Sequence, residues 1–293
     1  YGTLERRIAW VSTVGFELET IGAGGAALFE GWMQQERATR GTVTEAEGWN
    51  ALALESSILK VLGSEDAYRM LIEAAKGWGG YGFSEDYPMA TLIRDHWVDT
   101  IFEGENDAAQ RLGTLFKSLI KRSLGGKIPP LVSTDETWQA REAYLAERFS
   151  DHPLLPAMRL AEASKETVNL AAAALMAMPD AINLMHDHSR VQHIGMDLAD
   201  LVIAAFVNHY VVARALKLAD HFGEDGAAIA IRLATVSVYQ RDETVRNTAR
   251  RLVNAIYADR STGRDEALQR LDALDLRPPI DVLAHRAKIG KHM

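Results

Sequence analysis

Gly77-Trp78-Gly79-Gly80-Tyr81-Gly82-Phe83 and, further on, Ile101-Phe102-Glu103-Gly104-Glu105-Asn106-Asp107 are the stretch on which the reading of this chain turns. A glycine cluster of that density is expected to end any helix that runs into it. It also lets backbone approach a ligand closely and can present N–H groups to a phosphate. Downstream, Glu103 stands between the apolar Phe102 and the flexible Gly104. A carboxylate so flanked can be desolvated, and a desolvated carboxylate is a stronger base toward a carbon acid. The plain alternatives are a helix C-cap for the glycines and solvated surface for the glutamate. Spacing alone does not decide between them.

Outward from this stretch the pattern is helical nearly throughout. Trp10, Val14, Leu18, Ile21, Leu28 and Trp32 fall on one stripe, with Gly25 filling a gap, and a polar break follows around 37–48. Leu54, Ile58, Val61, Tyr68, Ile72 and Ala75 form the next stripe, interrupted by Glu65, and lead into the glycines. Pro88 suits the first turn of a helix carrying Leu92, Ile93, Trp97 and Ile101. A short helix is expected from Asp107 to about Ser123, closed by Gly125-Gly126 and Pro129-Pro130. A connector follows to Pro156, with a short helix over Thr137 to Glu147. Three long helices come last, with cores at Val168, Leu175 and Met178; at Ile194, Leu198, Leu201, Ala205, Val212 and Leu216; and at Ile229, Leu233, Val236, Val245, Leu252 and Ile256. The expected fold is all-α, one helical bundle over 1–123, a connector over 124–160, and a second bundle over 161–293.

Composition narrows the function. The 293 residues suffice for one large domain or two modest ones. A net charge of -8 disfavours a nucleic-acid partner, which needs concentrated Lys and Arg. With no cysteine there is neither a disulfide nor a thiolate metal site. No apolar run reads as membrane-spanning, Leu170 to Met178 being about half the required length.

The order GGYGF, YP, Arg94-Asp95 and IFEGEND resembles the C-terminal domain of the acyl-CoA dehydrogenases. Glu55 to Glu65 is similar to the helix that leads into that family's glycine turn, and Arg7-Ile8-Ala9 with Glu17 and Glu19 to the helix before it. The likeness runs in order over residues 1 to about 116; residues 160–293 resemble, more loosely, the extra helical domain of the very-long-chain branch. The family's N-terminal helical domain and middle β-domain have no counterpart, so the chain is read as part of a longer protein.

The resemblance implies FAD as cofactor and a fatty acyl-CoA, of long chain, as substrate. Glu103 matches the base that removes the α-proton while hydride leaves Cβ for the flavin, giving a trans-2-enoyl-CoA. Lys76, Gly77, Trp78, Gly79 and Gly80 match a turn that touches the ADP half of a neighbouring subunit's flavin. Glu105, Asn106 and Asp107 match positions beside the same cofactor, and Gly104 a substrate contact. The implied partners are an electron-transfer flavoprotein and a second copy of the chain. The implied setting is the bacterial cytoplasm, or the mitochondrion in a eukaryote. Two positions depart from the family: Lys76 stands where Gln is usual, and Glu105 where Thr is usual. A non-catalytic assembly module and an acyl-CoA oxidase are the competing readings.

Other features read as structural. His186, Asp187, His188 and His193 invite a metal, but residues two apart on a helix diverge, so no metal site is expected. The basic amphipathic stretch Leu115 to Leu124 is expected to pack on the protein, with peripheral membrane contact as the alternative. Arg246 to Arg251 reads as a solvated helix face.

Overall fold

Local sequence chemistry sets where the helices begin and end. The computed structural model describes residues 2–119, 135–176, 188–258, 263–274 and 282–292, and the side chains of these except 135–138 and 188–191. All regular structure among them is helical. The chain divides into two compact units, residues 1–119 with 286–293, and residues 120–285. The second unit thus begins before the expected connector ends, and the last turns of the chain join the first unit. Leu124 to Thr134, the first part of that connector, lies outside the described residues, as do Ile120 to Ser123, Met178, His186 and Asp187.

In the first unit α1 (Gly2–Arg40) packs along α3 (Ala53–Trp78), with α2 (Glu45–Ala51) between them in sequence. Gly25 permits the close approach, since a Cβ there would lie 2.3 Å from Leu59 Cδ1. The core is Ala9, Val14, Phe16, Ile21 and Met33 of α1 with Leu54, Ile58, Val61 and Leu62 of α3. The face that α1 buries lies beside the expected stripe: Leu18 and Leu28 are only half-buried, while Thr13 and Thr20 go inside. These hydroxyls donate to the carbonyls of Ala9 (2.7 Å) and Phe16 (2.5 Å), which makes their burial inexpensive.

Before α2, the Thr44 hydroxyl accepts from Glu47 N at 3.3 Å and the Glu47 carboxylate accepts from Thr44 N at 2.8 Å, a reciprocal capping box. Thr44→Ala is expected to cost about 1 kcal/mol, read as a shift of the urea midpoint.

The glycine cluster does end α3: Gly79 takes φ 60°, ψ -133°, a conformation open to glycine. Against expectation, the cluster then holds a single helical turn, α4 (Gly80–Phe83). It fits because Gly82 lies against the Ala75 carbonyl, where a Cβ would come within 2.3 Å. Pro88 opens α5 (Pro88–Val98) as expected. The helix expected from Asp107 is a π-helix, Asn106–Phe116, rather than an α-helix. It buries Leu115 and Phe116, and the following helical residues bury Leu119, so the described half of the basic amphipathic stretch is packed into the core.

The second unit contains α6 (Asp135–Phe149), α7 (Leu155–Met176), α8 (His188–Gly226), α9 (Ala228–Ile256) and α10 (Arg264–Ala273), and α11 (Val282–His292) begins in it. α7, α8 and α9 pack mutually, burying among others Leu175, Leu198, Leu201, Val212, Leu233, Val236 and Leu252; of the expected core positions among the described residues, Leu216, Val168 and Ile229 are half-buried. α8 corrects one expectation: Gln192–Gly226 is long and apolar enough to cross a membrane, with mean hydropathy 1.5. It serves instead as the central packed helix of the unit. Arg246 to Arg251 is not simply solvated: Arg246 is held by Asp242 at 2.7 Å, and Arg251 grips Asp197 through two bonds of 2.8 and 2.6 Å.

Candidate functional site

The turn between α5 and the π-helix places Glu103. Ile101 N and Phe102 N both donate to Val98 O, at 2.9 and 3.0 Å, and close the end of α5. Glu103 then adopts φ 53°, the one non-glycine residue in the left-handed region among those described, and Gly104 follows at φ 96°. A left-handed L-residue costs about 1–2 kcal/mol, and such strain persists where the surroundings over-determine it.

Those surroundings are a network of polar side chains from α3 and the π-helix. Asn106, 2% exposed, accepts from Lys60 Nζ at 2.6 Å and donates to Ser64 Oγ at 2.9 Å and Glu65 Oε1 at 3.0 Å. Its own N–H donates to Thr100 O at 3.2 Å, which ties the far side of the turn down. Arg111 grips both oxygens of Glu65, at 2.6 and 3.0 Å, and reaches Asp107 at 3.0 Å. Burial pushes the Lys60 ammonium below its ordinary pKa, against the opposing pull of Glu105, Asp99, Glu65 and Glu103.

Gln110 carries the network to the turn itself. Its amide oxygen accepts from Ser57 Oγ at 2.8 Å, and its amide nitrogen donates to Glu103 O at 3.2 Å and Gly104 O at 3.4 Å. A Cβ on Gly104 would lie 2.7 Å from that nitrogen, so glycine is required for the clamp to close. The main-chain N–H of Glu103 donates to nothing among the described residues. The turn therefore offers an acceptor carboxylate and a free donor from the same residue. Gln110→Ala is expected to loosen the Glu103 turn while Tm moves little; faster amide hydrogen exchange across that turn in the full-length protein checks it.

Several expected positions take specific roles here. The Glu105 carboxylate caps the π-helix, accepting from Ala108 N at 2.7 Å. That bond and one from Asp107 N hold its carboxyl below the usual range, so its charge is absorbed by helix amides rather than left facing outward. Asn106 points inward with both ends of its amide used. Lys76 is paired with Glu73 on its own helix, so its cation is engaged. Gly79 and Gly80 face open space, and Trp78, Tyr81 and Phe83 around them are exposed. Phe102 is 47% exposed and Glu103 exposed, so the apolar wall read from the sequence does not form from these residues. His193 is exposed on α8, apart from any cluster of potential ligands among the described residues.

Sequence reading missed Ser57, Lys60, Ser64, Gln110 and Arg111. A signal was present: Ser57, Lys60 and Ser64 recur at helical spacing beside Ile58 and Val61, so polar groups share a buried face.

Fold and turn together define an all-α domain that presents a glutamate on a strained turn beside an exposed glycine turn. The sequence profile of the acyl-CoA dehydrogenase C-terminal domain matches residues 33–113. Over that stretch the chain is similar to the C-terminal domain of the acyl-CoA dehydrogenases. A probable acyl-CoA dehydrogenase of Bacillus subtilis (strain 168) is 26% identical over 188 residues, 64% of this chain and 30% of that protein. A broad-specificity linear acyl-CoA dehydrogenase of Mycobacterium tuberculosis is 38% identical over 64 residues, 22% of this chain and 10% of that one. The crystal structure of an acyl-CoA dehydrogenase complexed with FAD from Bacillus anthracis shares the fold with TM-score 0.83 at 20% identity, covering 100% of this chain and 48% of that chain. The chain thus spans less than half the length of the proteins it matches.

Proposed function

We propose that this chain is the C-terminal part of an FAD-dependent acyl-CoA dehydrogenase in which Glu103 takes the α-proton of a long-chain acyl thioester. The observation that carries the reading is Glu103 held at φ 53° by a dedicated clamp, at the position the family resemblance assigns to the base. An α-proton of a thioester is weakly acidic, so its removal needs both a base and stabilisation of the developing enolate oxygen. The carboxylate of Glu103 supplies the first, and its free main-chain N–H is placed to supply the second. Enclosure of the carboxylate falls to the acyl chain and to parts of the protein beyond these residues.

The residues present fit FAD in part. The open backbone at Gly79 and Gly80 admits close approach of a phosphorylated group, with Gly77 and Trp78 leading into it, whereas the side chains of Lys76 and Asn106 are occupied. When bound, FAD supplies the acceptor for the hydride that leaves Cβ. A second copy of the chain and an electron-transfer flavoprotein are the partners this reading requires. The looser likeness of residues 160–293 to the very-long-chain extension is what supports a long-chain substrate in this reading.

The test uses full-length protein loaded with FAD and treated anaerobically with butyryl-, octanoyl- and palmitoyl-CoA. Loss of flavin absorbance, strongest with palmitoyl-CoA, is the expected result. Protein that holds FAD but is reduced by no acyl-CoA would sink the dehydrogenase reading in favour of an assembly module. Rapid peroxide formation in air would point to an oxidase.

A further inference from the structure

The first unit carries a half-open cavity of about 540 Å³, formed by the start of α1, the second half of α3 and the last turns of α11. Arg6, Arg7, Arg69 and Arg286 line it, with Glu73 as the one carboxylate among the described residues and Trp10 as an aromatic wall. So many guanidiniums on one cavity contrast with the chain's net charge of -8. None of the residues of the Glu103 turn lines it.

The available counter-charges are already committed. Glu73 is bound to Lys76 and lies 3.9 Å from Arg7. Arg69 lies 3.6 Å from Glu65 and 3.5 Å from Asp66 on its own helix. Among the described residues Arg6 and Arg286 have no carboxylate partner, and the Arg286 Nε is buried without a hydrogen-bond partner. Burial, and then the charge of Arg6 opposite, push the Arg286 guanidinium below its ordinary pKa. Arg286 is held there by packing: Ile289 is fully buried, and Gly290 rides so close to Glu5 that a Cβ would lie 2.9 Å from its carbonyl oxygen.

Folding therefore gathers like charges from elements far apart in sequence and leaves two of them without a carboxylate partner among the described residues, an arrangement that costs stability until an anion enters. Guanidinium groups match the oxygens of phosphate in paired bonds, and the volume falls within the range of small-molecule sites. We propose that this cavity binds a small organic phosphate of nucleotide size, its phosphoryl oxygens held by Arg6 and Arg286 and its flat ring set against Trp10. The proposal does not rest on the acyl-CoA reading.

Isothermal titration of full-length protein, with any flavin site saturated, tests it using ADP, inorganic pyrophosphate and adenosine. ADP and pyrophosphate are expected to bind and adenosine not. Arg6→Gln and Arg286→Gln are each expected to weaken both anions at least about ten-fold, whereas Arg94→Gln, whose partner is Glu85 elsewhere, leaves them unchanged. Trp10→Ala is expected to weaken ADP but not pyrophosphate. Without ligand, Arg286→Gln is expected to melt no lower than wild type, since it removes an uncompensated cation. Equal anion affinity in wild type and Arg286→Gln overturns the proposal, as does the absence of binding at millimolar ADP. A lower Tm for unliganded Arg286→Gln overturns it as well, because the guanidinium would then serve the fold.

Discussion

Glu103→Gln in the full-length protein is expected to keep its flavin and to lose acyl-CoA-dependent flavin reduction by about three orders of magnitude. The magnitude follows from what the substitution removes. Glutamine has the same length and shape, so the left-handed turn at φ 53° costs it no more than it costs glutamate. The carbonyls of residues 103 and 104 still receive the Gln110 amide, and the main-chain N–H is still without an acceptor among the described residues, because these are backbone groups. Under the proposed role, only the proton acceptor is gone. The loss should therefore fall on the chemical step and leave substrate binding nearly intact, a kcat effect rather than a KM effect. Gln110→Ala makes the complementary change, keeping the acceptor and loosening its support, so its smaller loss sets the scale for positioning alone. Anaerobic stopped-flow absorbance on the two variants separates the contributions. A Glu103→Gln protein that retains a tenth of the wild-type rate would place the proton acceptor on another residue.

The fold was legible because its helices follow from periodicity and punctuation. Gly79 and Pro88 mark an end and a start that any sequence reader can locate, and the apolar repeat from Leu54 to Val61 buries as expected. What escaped the sequence depends on tertiary contact. A π-helix has no signature in an apolar repeat; here it opens where the Ala109 and Gln110 amides both converge on Glu105 O, at 3.0 and 3.2 Å. The burial of Thr13 and Thr20 depends on their bonding back to carbonyls one turn earlier, which a hydrophobicity stripe does not count. Glu103 could be singled out, but its strain and its clamp could not, because Ser57, Gln110 and the turn meet only after α3 and the π-helix pack. The glutamate at 105, a departure from the family by sequence, becomes an N-cap once the helix after it is seen.

Arg111→Met is expected to destabilise the first unit by about 3 kcal/mol at neutral pH, and the effect should shrink on acidification. Arg111 and Glu65 are 10% and 20% exposed, and two short bonds join them. Methionine fills much of the arginine's volume, so the loss is not chiefly a cavity; it is the carboxylate left behind. Burial acts most strongly on Glu65 and pushes its pKa up, but Arg111, Asn106 and Arg69 together outweigh it and hold the group below its ordinary value. A folded pKa below the unfolded one gives stability that is complete above about pH 4.3 and is lost as pH falls through the folded value. Wild type should accordingly weaken only in acid below that range. In Arg111→Met the largest opposing influence is gone, burial prevails, and the Glu65 pKa moves above its unfolded value. The variant should then gain stability as pH falls from neutral through that raised value, the opposite slope to wild type. Urea unfolding at about pH 7, 5 and 3.5 measures both slopes, the variant's between the first two and the wild type's between the last two. Adding Glu65→Gln to Arg111→Met should restore much of the loss, since the uncompensated charge is then absent. A penalty independent of pH would mean that Arg111 acts by packing alone. Because Asn106 shares the Glu65 carboxylate and anchors the turn through Thr100, the charge pair that holds the π-helix on α3 is also what keeps the Glu103 turn in place.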